Sequence, residues 1–470
     1  MPLKSPRVIV VGAGLSGLAT AFQLQFRLPD ASITVLESQS RVGGMLCTES
    51  KRGYLLEHGP ASFPGHRLGL MKLCEQLKLT PELLSTSQTR LKRYMLHDGI
   101  LHLIPGTLGS ALLSPMYGMG SAYRLISERF RFASRNTLDE SVFQFAERRV
   151  GRELGQIIAD AVTTEQYAGD ARAISIKAGF AQAARAEREY GSVYRGLTKL
   201  RLAERNAARQ AGIKLADNVT THYSFTEGMR TLVDKLDGQL KQPAELGVGV
   251  KSIARTTDET VGPWQVYCSD GSTRPADMVV LACPVHKQTA IVADLDSELA
   301  DCLMTIPMAG IVSISLAYAK EHVPELSDCQ SILLPQRFKR DILKIEFSSS
   351  MFPGRAPEGK VLMQVTMGGW FRREMLSWDD DALILTARRE LRNLLHIIKP
   401  PNFCQLQRWP RAIPQYTLGH TQRVSQMETF LKKHPGLYLG GNAYHGVSLH
   451  DVATHAERIA RQIRDECRVK

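Results

Sequence analysis

The chain has 470 residues, with 59 Lys plus Arg against 47 Asp plus Glu and a formal net charge of +12 at pH 7. Hydrophobic residues make up 43%, charged residues 23% and aromatics 7%, an ordinary globular composition that excludes a disordered chain, a collagen-like repeat and a disulfide scaffold. Eight scattered cysteines without a C-x-x-C pair read as reduced thiols, and no apolar run approaches the ~20 residues that span a bilayer.

Met1-Pro2-Leu3-Lys4 leads directly into a strand-like run, so no signal or transit peptide and a cytoplasmic location are expected. The positive excess suits a polyanion, an anionic membrane surface or an acidic substrate, and charge alone does not choose among them. RVIVVGAGLSGLA at 7–19 reads as a strand, a glycine turn and a helix running to about Leu28, followed by a second strand from Ile33 to Leu36 that closes on Glu37. Residues 90–209 are helix-biased and carry 19 Lys or Arg against 12 Asp or Glu, so +7 of the net charge falls in an expected helical insertion. From about 222 the α/β character returns, with a helix near 229–241, a hairpin around Ser269-Asp270-Gly271 and a buried strand from Met278 to Ala282. The alternation Val312-Ser313-Ile314-Ser315-Leu316 predicts an antiparallel sheet in 305–370, a helix follows at 381–397, and 437–466 gives a strand, a glycine turn and a last helix.

Gly12, Gly14 and Gly17 form G-x-G-x-x-G between a strand and a helix. The first glycine permits the tight turn, the second lets a pyrophosphate approach the backbone, and the third lets helix and strand pack closely. Glu37, 20 residues after Gly17, is placed to accept from ribose hydroxyls. FAD is favoured over NAD because Arg41-Val42-Gly43-Gly44 follows at once, with glycines for close approach and an Arg for a phosphate; a surface turn with a solvated Arg would read the same. Gly440 to Leu449 precedes the last helix, whose N-terminus suits an anionic reduced flavin, while Asp451 also reads as its N-cap. His445, His450 and His455 recur every five residues, a spacing that splays them around a helix, and no metal is expected.

These pieces resemble the flavin-dependent protoporphyrinogen oxidases of haem biosynthesis, within the amine-oxidase-like FAD superfamily, essentially from end to end. GAGLSGL, LES and RVGG belong to the whole superfamily. Tyr167-Ala168-Gly169-Asp170, Glu187-Arg188-Glu189, RWPRAIPQYTLGH at 408–420 and GNAYHGVSLHD at 441–451 are more selective. The resemblance implies an α/β fold: a Rossmann-like FAD domain assembled from 1–89, 210–290 and 406–470, a mixed-sheet substrate domain at 291–405, and a helical membrane-associating domain at 90–209. It implies FAD contacts at Gly12, Ala13, Gly14, Leu15, Ser16, Gly17, Glu37, Ser38, Arg41, Gly43, Gly44, Met45, Gly59, Pro60, Ala61, Ser62, Val250, Trp409, Asn442, Val447, Ser448 and Leu449.

Arg93 is implied as the partner of a substrate propionate, although it also reads as part of a solvated basic run from Arg90. Gly169 matches a position whose carbonyl guides the reacting meso carbon, and Leu343 one that packs on a pyrrole ring; a plain turn glycine and a core leucine fit equally. The implied reaction oxidises protoporphyrinogen IX to protoporphyrin IX with dioxygen as acceptor. Its rivals are coproporphyrinogen III oxidation, an amine oxidase or carotenoid-type desaturase, and an inactive flavin-binding scaffold. Implied partners are a tetrapyrrole, dioxygen, an anionic membrane surface touched peripherally, a haem-pathway enzyme and a second copy of the chain, with no nucleic acid. The family commonly has Asn-Asp-Cys where this chain has His450-Asp451-Val452, and Ala61-Ser62 also departs from its usual pairs.

Overall fold

Four consecutive buried residues, Val8 to Val11, make Arg7–Val11 a strand covered on both sides, the signature of a parallel sheet centre. In the computed structural model, which describes residues 5–86, 91–106, 108–112, 114–116, 119–133, 138–256, 262–324 and 328–469, this strand is the middle of a five-stranded parallel sheet. Its order is Glu245–Leu246, Ser32–Glu37, Arg7–Val11, Met278–Leu281 and Leu437–Leu439. The helices Leu15–Arg27, Leu68–Gln76, Arg230–Gly238 and Leu449–Val469 cover one face through Leu18, Phe22, Leu70, Leu232 and Ile459. A three-stranded antiparallel sheet, Val250–Arg255, Trp264–Cys268 and Thr273–Ala276, adjoins the other face, with Trp264 fully buried.

A second layer is a seven-stranded mixed sheet in the order Phe403–Pro414, Met308–Ala319, Lys360–Gly368, Ile342–Glu346, Cys329–Leu333, Lys92–His97 and Ile100–Leu103. All its pairs are antiparallel except Cys329–Leu333 with Lys92–His97. The period-2 pattern sorts its faces. Val312, Ile314, Ile332, Ile345 and Val365 pack with Leu383, Ala387 and Leu391 of the helix Asp380–Leu395, and Ser313, Ser315, Lys344, Glu346, Gln364 and Thr366 lie on the opposite face.

The helical insertion expected from residue 90 starts later than its composition suggested. Arg90 lies outside the described residues, and residues 92–103 are a hairpin of the seven-stranded sheet. Asp98 and Gly99 both have positive φ, 47° and 81°, the two-residue turn that an Asp-Gly pair specifies. Arg and Lys content concealed that local signal. Helices dominate from Leu108 onward, with Val142–Val150, Arg152–Tyr167, Ala181–Tyr190 and Val193–Gln210 the main ones. A buried ion cluster ties them together: the Arg149 guanidinium donates to Glu128 and Glu187, and Arg148 bridges Glu187 and Glu140. Among the described residues, no helix is long and apolar enough to cross a membrane.

Candidate functional site

The glycine turn at the carboxyl end of the central strand has the geometry that its spacing requires. Gly12 has φ of +105° and its N–H donates to the Leu36 carbonyl at 2.7 Å. A Cβ on Gly17 would sit 1.9 Å from the Gly12 oxygen, so helix and turn touch there through backbone. A Cβ on Gly14 would meet nothing within 4 Å, leaving open space at the point of approach. Gly14 begins the helix Leu15–Arg27, with no side chain capping it and no acidic residue in its first turn. Such a terminus presents free N–H groups and positive dipole to an anion.

Neighbouring segments close around this turn. The Gly43 N–H donates to the Ala13 carbonyl at 2.8 Å, and a Cβ on Gly44 would lie 3.6 Å from the Gly14 Cα. Glu37 accepts from the Ala13 N–H at 2.8 Å and from the Gln39 N–H at 2.9 Å, which holds its carboxylate beside the glycine turn. Arg41 folds back to donate to the Val42 and Gly44 carbonyls. The Val248 N–H donates to the Glu37 carbonyl, bringing Gly249, which precedes Val250, against Ser38. Gly59 backs onto Met45, where a Cβ would come 2.0 Å from the Met45 oxygen.

At the other end, Tyr416 Oη donates to the Asn442 carbonyl at 2.7 Å and accepts the Gly446 N–H at 2.9 Å, fixing the turn before the last helix. A Cβ on Gly440 would lie 3.0 Å from Ser16 Oγ, so this turn abuts the first helix. Ser448 is the residue that caps the last helix. Its hydroxyl accepts the Asp451 N–H, and the Asp451 carboxylate accepts in return from the Ser448 N–H and hydroxyl, a reciprocal box of the kind common at helix starts. His450 Nδ1 accepts the Gly69 N–H at 2.8 Å, whereas His445 and His455 meet edge to face at 4.6 Å. Burial holds His445 down to about 3 and His455 to about 4, so both are neutral near pH 7.

The polar face of the seven-stranded sheet leads away from this region. Trp409 Nε1 donates to the His58 carbonyl at 2.7 Å, and Gln364 Nε2 donates to the Glu57 and Gly59 carbonyls. Strand pairing then aligns Gln405, Ser315, Gln364, Glu346, Ser331 and Arg93 in one row across six strands. Three strand steps from Gln364 place Arg93 ~14 Å farther along the sheet.

The end of the helix Arg152–Tyr167 gathers the three expected substrate residues. Arg93 donates to Glu165 in its last turn. Ala168 takes a left-handed conformation with φ of 46° and ends the helix just before Gly169. The Gly169 carbonyl accepts from Gln336 Nε2 at 2.9 Å, and Gln415 packs where its Cβ would be. Leu343, 4% exposed, borders Gly369, whose Cβ would lie 3.0 Å from its side chain and 2.8 Å from the Ala168 oxygen.

Glu165, Lys344, Glu346, Gln364 and His222 were missed in the sequence. Lys344, Glu346 and Gln364 had a signal in the alternation of polar residues at 344, 346, 364 and 366, the same pattern read at 312–316 and not extended to the neighbouring strands, whereas Glu165 and His222 had none. His222 Nδ1 lies 3.1 Å from Ser62 Oγ; burial, aided by Arg93, pushes the imidazole down to about 4. Burial works against the Glu165 carboxylate, but Arg93 and Lys344 outweigh it and hold its pKa below the ordinary value.

A five-stranded parallel sheet beside a seven-stranded mixed sheet, with helices packed on both, is a mixed α/β fold. The profile for flavin containing amine oxidoreductases matches residues 15–464, and the chain belongs to that family. It is 29% identical over 462 residues to protoporphyrinogen oxidase 1, chloroplastic, of Arabidopsis thaliana, covering 94% of this chain and 84% of that one. It is 24% identical over 458 residues to coproporphyrinogen III oxidase of Bacillus subtilis, covering 94% and 95%. A solved structure from Exiguobacterium sp. superposes with a TM-score of 0.79 at 21% identity, covering 99% of this chain and all of the other. The chain is an FAD-dependent oxidoreductase.

Proposed function

We propose that the protein oxidises protoporphyrinogen IX to protoporphyrin IX in three two-electron steps, with three dioxygen molecules reduced to hydrogen peroxide. The observation that carries this reading is the convergence of Arg93, Gly169 and Leu343 on the end of one helix, beside a polar sheet face that runs to Gly59. When bound, FAD would supply two-electron acceptance from the substrate and reactivity of the reduced flavin with dioxygen.

The chain's own residues do the binding and orienting. The uncapped helix start and open Gly14 would hold the pyrophosphate, with Glu37 beside the ribose and the 442–449 turn facing the flavin ring. Ala61 and Ser62 would adjoin the cofactor as well; the Ala61 carbonyl accepts from Ser224 Oγ, and Ser62 meets His222. Arg93 would fork to a propionate, and Leu343 would pack against the macrocycle. The same residues accept coproporphyrinogen III chemically; that substrate carries four propionates and calls for cations beyond the Arg93 end. Arg93→Ala should raise KM for the porphyrinogen more than it lowers kcat, because pairing with a peripheral carboxylate is uniform binding. Unchanged kinetics would remove Arg93 from the pocket.

The division into an interrupted FAD domain, a substrate domain and a helical domain is supported by the parallel sheet's strands coming from 7–37, 245–246, 278–281 and 437–439. The helical part exposes Tyr123, Phe130, Phe132, Leu138, Tyr194 and Leu202, with Arg129 and Arg131 between the first of them. Aromatic side chains interleaved with Arg suit peripheral docking on an anionic lipid surface at the inner face of a membrane. Vesicles containing anionic lipid should sediment the protein, and Phe132→Ser should weaken this; sedimentation indifferent to both lipid charge and Phe132 would contradict it.

A further inference from the structure

The row of polar residues described above has a neighbour one step along the strands. Gln407, Ser313, Thr366, Lys344, Leu333, Met95 and His102 align across the sheet, and Lys344 is the cation among them. Lys344 Nζ lies 2.9 Å from Glu346 Oε2 within its own strand, and both side chains are largely buried. Arg93, two strands away in the first row, meets Glu165, whose carboxylate feels both cations. Two cations and two carboxylates thus share one end of the substrate face, next to Leu343 and His222.

Lys344 does not need this place to build the sheet. A threonine or glutamine on the same face, as at Thr366 and Gln364, satisfies a strand without the cost of desolvating an ammonium. Two half-buried cations already neutralised by internal carboxylates form a site that can exchange one anion for another at little net electrostatic cost.

We propose that Lys344 is a second carboxylate-binding residue of the pocket, acting with Arg93, and that Glu165 and Glu346 are the internal carboxylates that occupy Arg93 and Lys344 until the substrate's own carboxylates displace them. This rests on the porphyrinogen reading and deepens it. It assigns recognition of a substrate edge carrying adjacent carboxylates to one end of the sheet, with Arg93 and Lys344 taking one each. The adjacent propionates of protoporphyrinogen IX are such an edge.

The test compares wild type, Lys344→Gln, Lys344→Arg and Glu165→Gln, each loaded with flavin, on protoporphyrinogen IX and on its dimethyl ester. Lys344→Gln should raise KM for the diacid about tenfold, the scale of one lost charge-assisted contact, with the loss read in KM more than in kcat. The ester, which has no charge to pair, should show no such rise. Lys344→Arg should stay within about threefold of wild type, and Glu165→Gln should lower KM for the diacid by removing its competitor. If Lys344→Gln fails to hold flavin, Lys344→Met replaces it in the same comparison. Equal KM values for Lys344→Gln and wild type on the diacid would overturn the proposal. An ester penalty as large as the diacid's, or Lys344→Arg failing as badly as Lys344→Gln, would do the same by showing a packing role. A wild-type protein that oxidises neither compound would refute the porphyrinogen reading itself.

Discussion

Replacing Gly14 by Glu should give a folded chain that retains no flavin. A Cβ at Gly14 meets no protein atom within 4 Å, so the substitution is sterically free in the protein alone, and the backbone there has no positive φ to forbid a side chain. The new carboxylate would occupy the path of the pyrophosphate at a helix start whose dipole favours one anion, not two. Near-complete loss of flavin absorbance with unchanged far-ultraviolet circular dichroism is the expected result. Gly17 offers the contrast: a Cβ there would lie 1.9 Å from the Gly12 oxygen, so Gly17→Ala should lose fold and flavin together. Normal flavin loading by Gly14→Glu would remove the cofactor from this turn.

Arg149→Met should destabilise the helical insertion by about 3–5 kcal/mol, because removal of one partner leaves a buried carboxylate without its charge. Arg149 is 2% exposed and Glu128 4%, and Glu128 also accepts from the Ser192 hydroxyl and the Val193 N–H. Burial alone would raise the Glu128 pKa, yet Arg149 and these donors outweigh it and depress the value in the folded chain. A depressed carboxylate stabilises above its unfolded pKa, and the contribution is lost as pH falls through the folded value. Wild type should therefore lose stability on acidification below the ordinary carboxylate range, whereas Arg149→Met should start lower and show less of that acid-dependent loss. Urea unfolding at two pH values measures both, and an Arg149→Met midpoint equal to wild type at neutral pH would contradict the assignment.

What the sequence disclosed and what it hid follow from the range of the signals. The strand Arg7–Val11, the turn at Gly12 and the helix Leu15–Arg27 were readable because their chemistry is local: a buried β-rich run, a positive-φ glycine and a close packing contact. The hairpin at Ser269-Asp270-Gly271 was readable for the same reason, whereas the equally local Asp98-Gly99 turn was lost under the basic composition around it. The company of Glu165 and Lys344 was not readable. They are 179 positions apart in sequence, and only the parallel pairing of Lys92–His97 with Cys329–Leu333 brings Arg93 into their company. Ser448 as the cap, with Asp451 as its reciprocal partner, was half seen, since either residue can begin a helix and only the backbone decides.

The +12 charge with which the sequence begins also takes on a location. Arg93, Arg148 and Arg149 pair inward with Glu128, Glu140, Glu165 and Glu187, so the +7 of 90–209 is carried by the other cations of the segment, Arg129 and Arg131 beside the exposed aromatics among them.

Side-by-side turnover of protoporphyrinogen IX and coproporphyrinogen III by the purified, flavin-loaded protein in air tests the proposed activity most directly. Porphyrin fluorescence should rise faster with protoporphyrinogen IX, with three hydrogen peroxide molecules formed per porphyrin. Preference for coproporphyrinogen III would contradict the choice of substrate, and a yellow protein that oxidises neither would contradict the activity altogether.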